Sequence, residues 1–238
     1  MEQILVQRIT YPKRTMKVAV LFSGGKDSTY AAYIVQQWGW DLTHLVTLIS
    51  QNTESWMFHS LNLTLTNLLS QSLDIPLVTE TTQGRKEDEL TDLQTLLQTL
   101  PIDGVISGAI ASEYQRTRIE RVCDRLGLKT FTPLWHKDQS LLLSDQLKAG
   151  FKISIVGVFA EGLTKDWLGR IIDQHTLEAL QQLHETRGVN IAGEGGEYET
   201  LVLDAPTYRA PLIIDEQKTT WTRDNGTLQV MKAHLENR

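Results

Sequence analysis

MKVAVLF (residues 16–22) runs directly into SGGKDS (residues 23–28), and the fold is decided by how these thirteen residues are read. The first seven are an apolar run of the kind buried on both faces of a parallel sheet. A helix is predicted over residues 28–38, so the glycines stand between a strand and a helix. Gly24 and Gly25 let backbone amides approach an anion, and the helix N-terminus adds unpaired N–H groups and a partial positive charge. Lys26 supplies a full charge on a mobile stem, and Ser23 and Ser28 supply hydroxyls. This strand, loop and helix make a phosphate cradle.

Spacing decides which cradle. A Walker A loop needs a glycine where Val20 stands and a Ser or Thr directly after the lysine, where Asp27 stands. A GxGxxG dinucleotide loop fails too, because no third glycine follows Gly24 and Gly25. The segment resembles the SGGxDS loop of the N-type ATP pyrophosphatases. That resemblance implies binding of the β- and γ-phosphates through Ser23, Gly24, Gly25, Lys26, Asp27 and Ser28, and cleavage of ATP between α and β. Asp27 is a candidate Mg2+ ligand or a helix-start carboxylate.

Outward from the loop, strands are predicted over residues 42–49, 76–80, 103–107 and 129–134. Helical spacing joins Phe58, Leu61, Leu65, Leu68 and Leu69. It recurs over residues 85–100, stopped by Pro101, and over 112–126, closed by Gly127. Alternating strands and helices predict an α/β fold with a doubly wound, parallel five-stranded sheet. The pattern changes after Trp135. Helices over 140–147 and 176–185 mix with strands over 151–159, 198–203 and 211–215, and with two more around Asp224-Asn225-Gly226, whose Asn-Gly pair reads as a tight hairpin. We therefore expect a nucleotide-binding domain over 1–135 and a smaller α+β substrate-binding domain over 136–238.

The chain has 238 residues, 41% of them hydrophobic, with 23 Lys and Arg against 29 Asp and Glu for a net charge of −6. That excludes a disordered chain and disfavours a general nucleic-acid binder. The apolar runs are strand-sized, and residues 1–15 lack the apolar core of a secretory signal, so no membrane span is expected and a cytoplasmic protein is predicted. The lone Cys123 excludes an internal disulfide, a CxxC zinc site, paired-cysteine sulfur transfer and a glutaminase domain with its own thiol. In its helical context it reads as a small buried hydrophobe.

Three further stretches agree in order and spacing: Gly108-Ala-Ile-Ala-Ser112-Glu-Tyr114-Gln115-Arg116-Thr-Arg118, Trp167-Leu-Gly-Arg170, and Ala192-Gly193-Glu194-Gly195-Gly196-Glu197-Tyr198-Glu199-Thr200. With the phosphate loop they resemble the archaeal and eukaryotic diphthine–ammonia ligase family, over about residues 17–215. The fold implied is of the adenine nucleotide alpha hydrolase type. The activity implied is the last step of diphthamide synthesis on translation elongation factor 2: the diphthine carboxylate attacks the α-phosphorus of ATP, and ammonia then displaces AMP. ATP, Mg2+, ammonium and diphthine-bearing elongation factor 2 are the expected cofactor and partners.

On that reading Lys26, Glu194 and Glu197 are the catalytic candidates, with the three loop glutamates available to Mg2+, to ammonium or to the trimethylammonium of diphthine. Ser107 and Gly108 would let a nucleotide approach the backbone. Tyr114, Gln115, Arg118, Trp167, Tyr198 and Glu199 are substrate-side candidates, with Trp135, Trp167 and Tyr198 the rings for a quaternary ammonium. Arg116 is an alternative phosphate partner to Arg118, and His59 reads as structural. Two other readings stay open: a related ligase acting on a small metabolite or RNA base, and a nucleotide-binding module without turnover.

Overall fold

The computed structural model describes residues 15–50, 62–83 and 86–237. Phe58, His59, Leu61 and residues 1–14 lie outside the described residues. The chain order is β1 (Lys17–Leu21), α1 (Lys26–Gln37), β2 (Asp41–Ser50), α2 (Thr66–Leu73), β3 (Leu77–Thr82), α3 (Lys86–Leu97), β4 (Gly104–Ile106), α4 (Glu113–Leu126) and β5 (Lys129–Phe131). It continues through α5 (Gln139–Lys148), β6 (Lys152–Val158), α6 (Gln174–Arg187), β7 (Tyr198–Asp204), β8 (Leu212–Thr222) and β9 (Asn225–Leu235).

The first five strands form the expected parallel sheet, in the order β3-β2-β1-β4-β5. Val18, Ala19 and Val20 of the central β1 are fully buried. They are covered on one face by the α1 and α2 residues Tyr30, Ala31 and Leu69, and on the other by Leu90, Leu93 and Ile119 from α3 and α4. That double covering is why these strands read as apolar runs rather than alternating ones. Helix α4 starts where Ser112 Oγ accepts the Gln115 amide at 3.3 Å and ends at Gly127, whose φ of 66° is the left-handed cap.

The remaining strands form an antiparallel sheet of order β7-β6-β9-β8. One buried cluster runs through both sheets, from Val18 and Leu69 to Ile155, Leu201 and Leu228. Asn62 stitches them, donating to Leu228 O at 2.9 Å and accepting from Val230 N at 2.8 Å.

The β8–β9 hairpin corrects the sequence expectation. Its two-residue turn is Arg223-Asp224, since Thr222 pairs with Asn225, and Arg223 holds the positive φ of 56°. Gly226 lies in the strand. A Cβ there would sit 2.5 Å from Trp221 Cε3 and 2.6 Å from Thr220 O, so close approach, not turn geometry, requires that glycine.

Candidate active site

The order β3-β2-β1-β4-β5 reverses direction between β1 and β4, and in such sheets ligands bind beyond the carboxyl ends of the strands at that point. The turn after β1 and the first residues of α1 make up residues 23–28, and the loop after β4 begins with Ser107-Gly108. Gly24 has a φ of 78°, and Gly25, with φ −75° and ψ 165°, is the residue preceding α1. Ser28 Oγ accepts the Ser23 amide and donates to Gly25 O, both at 3.2 Å, and Gly25 N donates to Ser23 Oγ at 3.3 Å. The two serines therefore shape the loop as well as furnishing donors. A Cβ on Gly108 would stand 2.8 Å from Asp27 C and Ser28 N. Its bareness serves contact with the phosphate loop, where the sequence alone suggests room for a nucleotide.

Strand β7 closes the loop from the other side. Val202 N donates to Gly24 O at 3.0 Å, and Lys26 N donates to Thr200 Oγ1 at 3.1 Å. Lys26, expected as a mobile charge, is only 3% exposed. Its ammonium pairs with Asp27 Oδ2 at 2.6 Å, donates to the Ala192 carbonyl and lies 5.7 Å from the Tyr198 ring centroid. The other Asp27 oxygen accepts from Nε2 of the fully buried Gln146, at 3.3 Å. Lys26 thus ties the phosphate loop to the glycine-rich loop, a role invisible to local spacing because its partner is 166 residues away.

The three glutamates of that loop separate. Glu194 Oε1 accepts from the amides of Ile110, Ala111 and Ser112 at 3.1, 2.9 and 3.0 Å, just ahead of α4. An oxygen so engaged, where amide dipoles point at it, anchors the loop, and Glu194 also lines the cleft. Glu197 precedes β7 instead of sharing a strand face with Glu199, and it does not line the cleft; its Oε2 is buried with no partner among the described residues. Glu199 does line the cleft. Between them Tyr198 is buried, its hydroxyl donating to Ile191 O at 2.6 Å. Burial first, then the nearby charges of Asp27 and Glu197, hold its phenol well above the usual range, so it stays neutral.

The cleft has a volume of about 240 Å3 and is lined by the phosphate loop, Ser107, Gly108, Gln115 and the glycine-rich loop. Phe22, Val46, Thr47, Leu48 and Leu63 line it too and escape a sequence reading, because in sequence they look only like core positions. Tyr114, Arg118 and Trp167 do not line it. The Arg118 guanidinium covers the Tyr114 ring at 4.3 Å. Trp167 is 7% exposed in the core under Arg170, and Trp135 carries Arg116 at 4.7 Å and stacks on His136. Arg116 itself pairs with Glu113 and Glu120. No three of His, Cys, Asp and Glu cluster as a metal-ligand set among the described residues.

The parallel sheet of this order carries the SGGxDS loop at its switch point, with a glycine-rich acidic segment hydrogen-bonded across it, the arrangement of a PP-loop-type fold. The chain belongs to the diphthamide synthase family: the model of that family's N-terminal domain matches residues 16–130 and that of its C-terminal domain residues 138–235. It is 34% identical to the diphthine–ammonia ligase of Danio rerio, over 94% of this chain and 98% of that protein. With the diphthine–ammonia ligase of Homo sapiens it shares 32% identity over 94% of each. A solved structure described as a predicted subunit of tRNA methyltransferase from Methanocaldococcus jannaschii aligns over 80% of this chain and 98% of that one, at 19% identity and a TM-score of 0.43, a likeness too distant to bear on chemistry.

Proposed function

We propose that the chain is an ATP-dependent diphthine–ammonia ligase that adenylates the diphthine carboxylate of elongation factor 2 and amidates it, releasing AMP and pyrophosphate. One observation carries this reading: β7 and its acidic loop are hydrogen-bonded directly onto the phosphate loop, at Gly24 O and the Lys26 amide, so carboxylates and phosphate cradle border one cleft. The relatives' shared name supplies the substrate.

In this proposal residues 1–135 hold the nucleotide and residues 136–238 hold the acyl substrate. The amides and hydroxyls of residues 23–28, with the α1 N-terminus, hold the outer phosphates as a preorganised leaving group, leaving the α-phosphorus open to the carboxylate oxygen. Lys26, held beside Asp27 and Ala192, keeps positive charge against the pyrophosphate side. Asp27 lines the cleft, and although its oxygens pair with Lys26 and Gln146 their remaining lone pairs would let it hold Mg2+, which would neutralise phosphate charge. Glu194 fixes the acidic loop against residues 110–112. Glu197, whose buried Oε2 lies outside the cleft lining, adds negative charge behind the acidic loop, and ammonium falls to the cleft-lining carboxylates Glu194 and Glu199. Glu199 supplies negative charge inside the cleft. The work belongs in the cytoplasm, where its protein substrate is translating.

Incubating the protein with ATP, ammonium and diphthine-bearing elongation factor 2 should yield AMP and pyrophosphate, and omitting either acceptor substrate should prevent net amide formation. ADP as the product would contradict the reading. Lys26→Ala should lower AMP formation by at least about a hundredfold, the scale of losing one preorganised electrostatic group, while the circular dichroism spectrum stays that of the wild type.

A further inference from the structure

Diphthine carries its trimethylammonium on the same carbon as its carboxylate, so a seat for the cation has to border the cleft where the carboxylate reacts. The three rings expected to provide it are already engaged. Tyr198 lines the cleft but is buried with its ring beside the Lys26 ammonium, Trp167 is buried beneath Arg170, and Trp135 carries Arg116 and His136.

Phe159, directly after β6, is different. It is 43% exposed. Its Cε2 and Cζ lie 2.8 and 3.0 Å from where a Cβ on Gly157 would be, and Glu199 Cβ lies 3.2 Å from that same point. Gly157 and Glu199 are register partners across β6 and β7, and Phe159 stands two residues beyond Gly157, so ring and carboxylate arise side by side on one face of the sheet. The Phe159 amide donates to Glu197 O at 2.8 Å, which fixes the ring's backbone to the acidic loop. Gly157 is bare because the ring lies over it. Glu199, its neighbour, lines the cleft, and the ring stands just outside that lining, so the pair marks the cleft's edge.

We infer that Phe159 and Glu199 form the seat for a quaternary ammonium group, an inference that rests on the ligase reading above. A trimethylammonium has no N–H to donate and is weakly hydrated; it is recognised by an aromatic face with negative charge beside it. A primary ammonium on the same carbon would satisfy the carboxylate but gain little from the ring. Phe159 therefore sets preference for the methylated acid over its unmethylated counterpart.

The test measures AMP formation with elongation factor 2 bearing diphthine and with the same protein bearing the unmethylated amino acid, for wild type, Phe159→Leu and Phe159→Tyr. The ratio of kcat/KM between the two substrates should fall about tenfold in Phe159→Leu, which keeps the apolar volume, and persist in Phe159→Tyr, which keeps the π face. An unchanged ratio in Phe159→Leu, or an equal loss on both substrates, would overturn the inference. Wild-type protein that forms no AMP with either substrate would instead remove the ligase reading beneath it.

Discussion

Glu194 stands in sequence as a catalytic candidate, and its three amide contacts give it an anchoring role as well, since one oxygen closes three donors ahead of α4. Removing that oxygen leaves those donors unmet at a half-buried loop, at a cost of about 1–3 kcal/mol. Glu194→Ala should therefore lower stability by that amount in urea denaturation, with Glu194→Gln restoring part of it through its amide oxygen. Equal stability of the Ala variant and wild type would remove the anchor. Cys123 behaves as its helical context suggests. It is fully buried, and burial pushes its thiol up, with Glu120 adding to the shift and a bond to Thr130 opposing it. It should react with a disulfide reagent at pH 8 only as fast as the protein unfolds, and at full rate in denaturant. Fast labelling of the folded protein would contradict this.

Helix ends and strand runs are legible in the sequence because their causes are local. Ser112 and Gly127 bound α4 as cap chemistry requires, and the buried run of β1 announces a strand covered on both faces. The hairpin is not legible in the same way, because Asn225-Gly226 carries a turn signal that β8 overrides: the strand runs on to Thr222 and the turn falls on Arg223-Asp224. At α6, Asp173 caps the first turn. The Thr176 backbone N–H first and its hydroxyl second hold the Asp173 carboxyl below the usual range. Because the folded form is the stronger acid, its stabilisation is fully present above the unfolded value near 4 and is lost as pH falls through the lower folded value. The stability difference between wild type and Asp173→Ala, measured by urea unfolding, should thus be larger at pH 7 than at pH 3. A pH-independent difference would show that the ionised cap is not its source.

Across the whole molecule, the parallel five-stranded sheet follows from alternating elements, and its order β3-β2-β1-β4-β5 puts residues 23–28 beside Ser107 and Gly108. What local pattern could not supply is the partner of the phosphate loop. Gln146, Ala192, Thr200 and Val202 reach it from more than a hundred residues away, and Lys26 and Asp27 take their meaning from those contacts. Among the described residues no helix is long and apolar enough to cross a membrane. At the centre of the proposed reaction, the diphthine carboxylate attacks the α-phosphorus while the loop at Ser23 retains pyrophosphate. Diphthine labelled with 18O in its carboxylate, turned over with ATP and ammonium, should deliver one label into the phosphate of AMP, as mass spectrometry of the nucleotide will show. Label in inorganic phosphate alongside ADP, or unlabelled AMP beside the finished amide, would contradict it.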